Sequence, residues 1–301
     1  MAKYLVVGGA GFIGSNLVDL LVSEGHYVRV LDNLATGKQS NLPQNIDFIQ
    51  ADITHGDSIL PYFEGIDGVF HLAARPSVPY SIEFPAESSL VNIMGTVHVL
   101  EAARHFKIKR VVYSASSSAY GPLAQLPEKP SMIADPASPY ALQKYIGELL
   151  CAQFFLQYQL DTFSLRYFNV YGPRMTDVGA YVLVFVHFLR AKREGKPMRI
   201  YGDGTQTRDF THVSDVAMAN YQAMICRQDG RGVVLNVGCG NQTSINRIAE
   251  IIGGPIEYAD PRPGDVPHSL ADISETKKIL GWNPKISFED GLRDWMKSEG
   301  L

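Results

Sequence analysis

The chain has 301 residues, a formal charge of -4 and 19% charged side chains, with no long basic run. That balance argues against a sequence-independent nucleic-acid binder or a membrane-surface protein, and a chain of this length can bury about three-quarters of its unfolded surface in one core or in two lobes sharing a cleft. Three widely spaced cysteines, Cys151, Cys226 and Cys239, and eight histidines without a His-x-x-x-His pair argue against a disulfide framework and a metal site.

Tyr4 to Val7 is too short for a signal-peptide core and leads directly into a glycine-rich turn, so it reads as a first strand. No apolar stretch reaches the roughly 20 residues that span a bilayer, and a reduced, cytoplasmic protein is expected. Ile13, Leu17, Leu20, Leu21 and Glu24 show helical spacing ending near Gly25, and Val28 to Leu31 is the next strand. Ile46 to Gln50, Gly68 to Leu72 and Arg110 to Ser114 continue as strands between helical stretches. The longest helical candidates are Leu90 to Phe106 and Pro139 to about Tyr158, followed by a strand at Thr162 to Arg166. This alternation predicts an α/β fold with a parallel sheet covered by helices. After Tyr171-Gly172-Pro173-Arg174 the pattern loosens. A helix around Val182 to Glu194, a loop at Tyr201-Gly202-Asp203-Gly204, a helix from Ser214, a strand end at Asn236-Val237-Gly238, a helix at Ile245 to Ile252 and a rigid loop at Pro261 to Asp265 follow.

The turn after the first strand is Gly8-Gly9-Ala10-Gly11-Phe12-Ile13-Gly14, with glycines at positions 8, 11 and 14 between a strand and a helix. Without side chains there, the backbone can turn sharply and approach a pyrophosphate, which sits against the amides and positive dipole of the helix that Phe12 and Ile13 open. Asp32 stands at the end of the second strand, where a carboxylate accepts hydrogen bonds from both adenosine ribose hydroxyls and repels a 2′-phosphate, so NAD is expected rather than NADP. Asp52 and Ile53 could border the adenine, and Leu72, Ala73 and Ala74 would line the same cleft with largely small residues. The expected architecture is a Rossmann-type doubly wound parallel sheet, with an NAD-binding domain over residues 1–170 to which part of 209–240 returns. A smaller C-terminal α/β substrate lobe is expected over 171–301.

Tyr140-Ala-Leu-Gln-Lys144 lies downstream of Ser116-Ser117-Ser118. Tyrosine and lysine spaced i, i+4 project from one face of a helix, so the ammonium can stand near the phenol oxygen. A free phenol titrates near pH ~10 and becomes a useful base only when a cation lowers that value. Together these residues supply a base, its activating cation and a hydroxyl relay, suited to redox chemistry at a carbinol carbon.

The glycine motif, Asp32-Asn33-Leu34-Ala35-Thr36-Gly37, Ser116, the Tyr140/Lys144 pair, Arg166-Tyr167-Phe168-Asn169-Val170-Tyr171-Gly172-Pro173-Arg174 and Arg208-Asp209-Phe210 together resemble the extended short-chain dehydrogenase/reductases that modify nucleotide sugars. The resemblance covers essentially the whole chain and is nearest to the UDP-hexose 4-epimerases. It implies that Asn33 and Gly37 join the cofactor site and that Ser116 hydrogen-bonds the reacting oxygen. Tyr140 would remove the sugar 4-hydroxyl proton while a hydride passes to tightly held NAD. The keto sugar would then turn over, and hydride return would invert carbon 4. Asn169 and Arg208 match positions that bind the nucleotide diphosphate, and Arg262 matches the second phosphate-binding arginine. Ser117, Ser118, Tyr201 and Asp265 complete the implied substrate set. The related 4,6-dehydratases place Asp-Glu where this chain has Ser117 and Ser118, so dehydration is disfavoured, as is decarboxylation. A uronic-acid 4-epimerase stays open, with Arg75 and Arg174 as candidate cations. Ser269 stands where hexose-only epimerases carry a bulky tyrosine, so N-acetylated sugars are expected to fit. The helices holding Leu90 to Phe106 and Pro139 to Tyr158 resemble those that pair into a four-helix bundle across a family homodimer. The contrasting reading is a non-catalytic NAD-binding regulator, which would have no need of the Ser116, Tyr140 and Lys144 set.

Overall fold

The computed structural model describes residues 1–122, 125–175, 183–261, 266–298 and 300–301. In chain order the strands are β1 (Lys3–Val7), β2 (Tyr27–Asp32), β3 (Asp47–Gln50), β4 (Gly68–His71), β5 (Arg110–Ser116), β6 (Asp161–Tyr167), β7 (Asn169–Tyr171), β8 (Met198–Tyr201), β9 (Thr207–Arg208), β10 (Phe210–His212), β11 (Val233–Val237), β12 (Thr243–Ser244) and β13 (Ile256–Ala259). The helices are α1 (Phe12–Ser23), α2 (Gly56–Ile59), α3 (Val78–Glu83), α4 (Pro85–Ser89), α5 (Gly95–His105), α6 (Pro139–Tyr158), α7 (Val184–Arg193), α8 (Val213–Ile225), α9 (Ile245–Ile252), α10 (Ser274–Leu280) and α11 (Phe288–Ser298).

Seven strands form one parallel sheet in the order β11-β6-β5-β4-β1-β2-β3. The chain builds outward from β1 in one direction and from β4 in the other. The carboxyl ends of these two neighbours therefore flank a crevice with no crossover lying above it, where open α/β sheets place their ligands. Both faces are covered, which explains why β5 is buried through Ala115 instead of alternating. Leu17, Leu21, Val216 and Ala223 of α1 and α8 close one face, and Val99, Leu100, Cys151 and Phe154 of α5 and α6 close the other. A third core gathers Phe185, Phe188, Ile248, Phe210 and Phe288, the last two stacked at 4.4 Å. The short β7 follows directly on β6 and pairs in parallel with β10, so this third core stands at the carboxyl edge of the sheet.

Local signals account for the elements that carry the site. Ser138 caps α6 by accepting a 3.2 Å hydrogen bond from the Ala141 amide, Pro139 occupies its first turn, and Gln159 ends it in the left-handed region at φ 57°. The inward stripe of α6 runs through Ala141, Lys144, Glu148 and Cys151, so two charged residues lie on its buried face. The sequence spacing predicts one helix from Leu90 to Phe106. The structure instead shows a longer run from Pro85 to His105, interrupted by a π-helical turn at Leu90–Met94. Asn92 sits in that turn, donates to Gln143 Oε1 on α6 at 2.7 Å and accepts from the Arg75 amide at 2.8 Å. The irregular turn thereby locks two helices to the segment following β4, a common use of π turns near functional sites. No helix among the described residues is long and apolar enough to cross a membrane.

Candidate active site

The glycine turn occupies the β1 side of the crevice. Gly8 has φ 83°, and a Cβ there would stand 2.4 Å from the Ala73 nitrogen, so the turn and the segment after β4 approach at backbone distance. Leu72 and Ala73 amides both donate to the Val7 carbonyl, at 2.8 and 2.9 Å, which draws Leu72, Ala73 and Ala74 over the turn. At Gly14 a Cβ would meet the Gly8 carbonyl oxygen at 2.2 Å, a clash with backbone that cannot move aside. Gly11 differs, since a Cβ there would have only that same oxygen in range, at 3.4 Å. Packing does not demand its missing side chain. Gly11 also precedes α1 without a side-chain cap, so the amide end of that helix is left for an anion, beside Phe12 and Ile13.

Asp32 closes β2 and accepts hydrogen bonds from the Ala10 amide at 3.0 Å and the Leu34 amide at 2.8 Å. Burial pushes its carboxyl up, against these two amides. Each carboxylate oxygen has a second lone pair for a ribose hydroxyl. Asn33 donates to Asp52 at 2.8 Å, and Thr54 donates to Asp52 twice, at 2.8 and 2.7 Å. These bonds outweigh partial burial and lower the Asp52 carboxyl. Gly37 packs on Ala10, which fastens the Asp32 loop to the glycine turn. The Ile53 side chain is buried against Gly95, and its carbonyl lies 2.8 Å from His98 Nδ1. A dinucleotide's pyrophosphate at the α1 amide end and its ribose at Asp32 fit these residues.

On the β5 side, Ser116 ends the strand, and a tight 3₁₀ turn over Ser117–Tyr120 follows. Ser116 Oγ accepts from the Ser118 amide at 3.2 Å and from Ser118 Oγ at 2.8 Å, so its own proton is free to point outward. Helix α6 packs on β5 and on this turn. Tyr140 lies half-buried in the first turn of α6, its amide held by Ser81 Oγ at 3.0 Å. Lys144, one turn on, is only 3% exposed, and burial brings its ammonium down to about 8 despite an opposing pull from Glu148. The Glu148 carboxylate takes two hydrogen bonds from Arg166 of β6, at 2.8 and 2.7 Å, in a buried forked pair. Ser116 thus ends β5 at the carboxyl edge of the sheet, and Tyr140 and Lys144 stand one turn apart on the helix packed against that strand and its following turn.

Of the residues assigned to the substrate, Asn169, Tyr201 and Arg208 lie on the short strands β7, β8 and β9, outside the seven-stranded sheet. Asn169 donates through its backbone and side-chain nitrogens to the Asp209 carbonyl, at 3.1 and 3.2 Å, which places it beside Arg208. Arg208 donates to the Thr207 carbonyl at 2.9 Å and the Pro267 carbonyl at 3.3 Å. Ser269 is 9% exposed and accepts a 3.3 Å hydrogen bond from the Asp209 amide. Tyr201 lines a cavity of about 840 Å³ together with Gln206, Tyr258, Pro261 and His268. Arg262 and Asp265 lie outside the described residues.

Sequence reasoning did not single out Asp209, Glu148 or Tyr113. Asp209 is fully buried and accepts from the Cys239, Gly240 and Ala271 amides at 2.6, 2.9 and 3.1 Å, and burial lifts its carboxyl to about 6. It ties the Arg208 strand to the segment carrying Ser269. Glu148 could have been found from its i+4 spacing to Lys144. Nothing in the linear sequence marks Tyr113.

The NAD dependent epimerase/dehydratase family model matches residues 4–238, and the chain belongs to that family. It is 37% identical over 304 residues to a UDP-glucose 4-epimerase of Mycolicibacterium smegmatis, covering 96% of each chain. Among solved structures it matches a UDP-N-acetylglucosamine 4-epimerase from Methanobrevibacter ruminantium M1, in complex with UDP-N-acetylmuramic acid, at TM-score 0.92 and 38% identity over 99% of both chains. A UDP-glucuronic acid 4-epimerase from Bacillus cereus, in complex with UDP-glucuronic acid and NAD, matches at TM-score 0.87 and 32% identity, again over 99% of both.

The contrast between Gly11 and Gly14 gives a direct test. Gly11→Ala should shift the melting temperature by no more than about 2 °C, because its Cβ meets only one oxygen at 3.4 Å. Filling the pyrophosphate approach should nevertheless weaken NAD binding at least about tenfold in a calorimetric titration. Equal affinities would place the pyrophosphate elsewhere.

Proposed function

We propose that this chain is an NAD-dependent UDP-sugar 4-epimerase acting on UDP-N-acetylglucosamine and UDP-N-acetylgalactosamine, with the plain glucose and galactose pair as further substrates. The observation that carries this reading is the packing of α6, which bears Tyr140 and the buried Lys144, against β5 and the turn that follows Ser116. NAD, bound through Gly8, Gly11, Gly14 and Asp32, supplies the acceptance and return of a hydride at sugar carbon 4. Tyr140 takes the proton from the 4-hydroxyl, with the Lys144 ammonium favouring its phenolate. Ser116, already accepting two hydrogen bonds from Ser118, donates its own proton to the reacting oxygen. Residues 1–170, joined by part of 209–240, hold the cofactor in this reading, and 171–301 hold the nucleotide sugar. Arg208, Arg262 and Asn169 are assigned to the diphosphate and Asp265 to the rest of the substrate, so the keto sugar can turn over while the nucleotide stays fixed.

A neutral sugar is favoured over a uronic acid by the company of the two candidate cations. Arg174 pairs with Asp19 of α1 at 2.6 Å, and the Arg75 guanidinium lies 5.3 Å from the Tyr80 ring centroid. Room for an acetamido group is inferred at Ser269, whose small side chain spares the volume a tyrosine would fill. The absence of a disulfide among the described cysteines suits the reducing cytoplasm.

We infer a homodimer from the outer face of α6. Leu142, Leu149 and Leu156 recur every seven residues and are 46%, 48% and 60% exposed, with Leu90 and Met94 also exposed on the neighbouring helical run. A seven-residue apolar repeat on one helix and a second apolar helix beside it are what a four-helix bundle with a second copy requires.

Incubation with each UDP-sugar in the absence of added NAD should yield the carbon-4 epimer by proton NMR, and Tyr140→Phe should lower turnover by at least about a hundredfold while NAD remains bound. A stable 4-keto-6-deoxy product, carbon dioxide release, or an active Tyr140→Phe variant would overturn the mechanism. Ser269→Tyr should depress turnover of the acetylated sugars at least about tenfold relative to the plain ones; an unchanged ratio removes Ser269 from specificity. Leu149→Glu should convert a two-chain sedimenting species into single chains, and a wild-type chain that sediments alone would refute the dimer.

A further inference from the structure

Lys144 must carry a charge where almost no water reaches it, and few groups stand near enough to help. Those that act on its surroundings are Glu148 and Cys151 further along α6, Tyr140 in its first turn, Tyr113 on β5 and His71 at the end of β4. Glu148 has both oxygens bonded to Arg166, so the guanidinium offsets much of its field. His71 is held near 3 by burial and by Lys144 itself, so it is neutral at physiological pH and supplies no counter-charge. What the ammonium directly faces is an aromatic ring, with the Lys144 Nζ 4.6 Å from the Tyr113 centroid.

We propose that Tyr113 is a positioning residue, whose ring face forms a seat that keeps Lys144 protonated and fixed in place beside Tyr140. The proposal rests on the epimerase reading in taking Lys144 as the cation that activates Tyr140. The seat is built into the fold. Tyr113 is 1% exposed, and its hydroxyl reaches the Lys144 carbonyl at 3.4 Å. A Cβ at Gly147 would stand 2.1 Å from that hydroxyl oxygen, so α6 carries a poor helix former at the one place where the ring lies against it. His71 closes the other side, its ring 5.5 Å from that of Tyr113 and its Nε2 anchored to Thr96 Oγ1 at 3.0 Å. A ring quadrupole attracts a desolvated cation strongly enough to shift its proton affinity about tenfold or more. Because Lys144 is depressed toward 8 by burial, losing the seat would bring its deprotonation into the working pH range. The ammonium form is present below that value and lost above it.

The test replaces Tyr113 with phenylalanine and with mono-, di- and trifluorinated phenylalanines, which drain the ring quadrupole at nearly constant volume. Two readouts are taken relative to the phenylalanine variant. One is the Lys144 pKa by NMR of protein labelled at lysine Cε, with the signal assigned by its loss in Lys144→Arg. The other is the pH profile of kcat and KM on a UDP-sugar. Successive fluorines should lower the Lys144 pKa by about one unit in total, move the alkaline limb of kcat down with it and reduce kcat about tenfold, leaving KM within about twofold. A flat series in both readouts overturns the seat. Failure of the wild-type chain to epimerise any UDP-sugar would instead overturn the functional reading, and the NMR series would still decide whether the ring holds the ammonium.

Discussion

The structure depends on keeping a lysine charged on the buried face of a helix. Lys144 and Glu148 both lie on the inward stripe of α6, where apolar residues belong, and each has a partner from the sheet in addition to the other's charge. Arg166 forks onto Glu148 from β6, and the Tyr113 ring lies under Lys144 from β5. Breaking a buried pair by removing one partner commonly costs about 3–5 kcal/mol, because it strands the other charge. The neighbouring places of β5 and β6 in the sheet bring both partners under α6, and the glycine at 147 lets the Tyr113 ring lie against it.

The same constraint explains how the two halves of the cleft meet. The glycine turn after β1 and the segment after β4 touch through backbone at Gly8 and Ala73. From there Arg75 leads into the Asn92 and Gln143 hydrogen bonds, and Gln143 directly precedes Lys144 on α6. A continuous set of backbone contacts and buried polar groups therefore links the glycine turn to the helix bearing Tyr140 and Lys144. Asp209 does the corresponding work above the sheet edge, where three backbone amides hold its carboxylate and fasten the Arg208 strand to the Ser269 segment. Buried polar networks of this kind are stable only when their members are satisfied, so each of these residues limits what its neighbours can become.

Much of this was legible in the linear sequence because its signals are local. Strand and helix alternation, the Ser138-Pro139 start of α6 and the glycine spacing all act within a few residues, and they led to a parallel sheet and a cofactor turn. Asp32 was readable because a βαβ unit fixes its distance from the glycines. The π turn at Leu90–Met94 was not, since it arises where Asn92 must reach both Arg75 and Gln143, contacts spanning 17 and 51 residues. A helical periodicity carries no record of such a demand.

By itself, then, the sequence determined the α/β alternation, the glycine turn with Asp32, and the pairing of Tyr140 with Lys144 on one helical face, because each is set by backbone geometry over short separations. Only the tertiary structure decided that Lys144 is buried over the ring of Tyr113, that Glu148 belongs to Arg166, and that Asp209 joins Arg208 to Ser269. Those outcomes turn on which strands become neighbours and on how little water remains between them, and neither is encoded within a single stretch of chain.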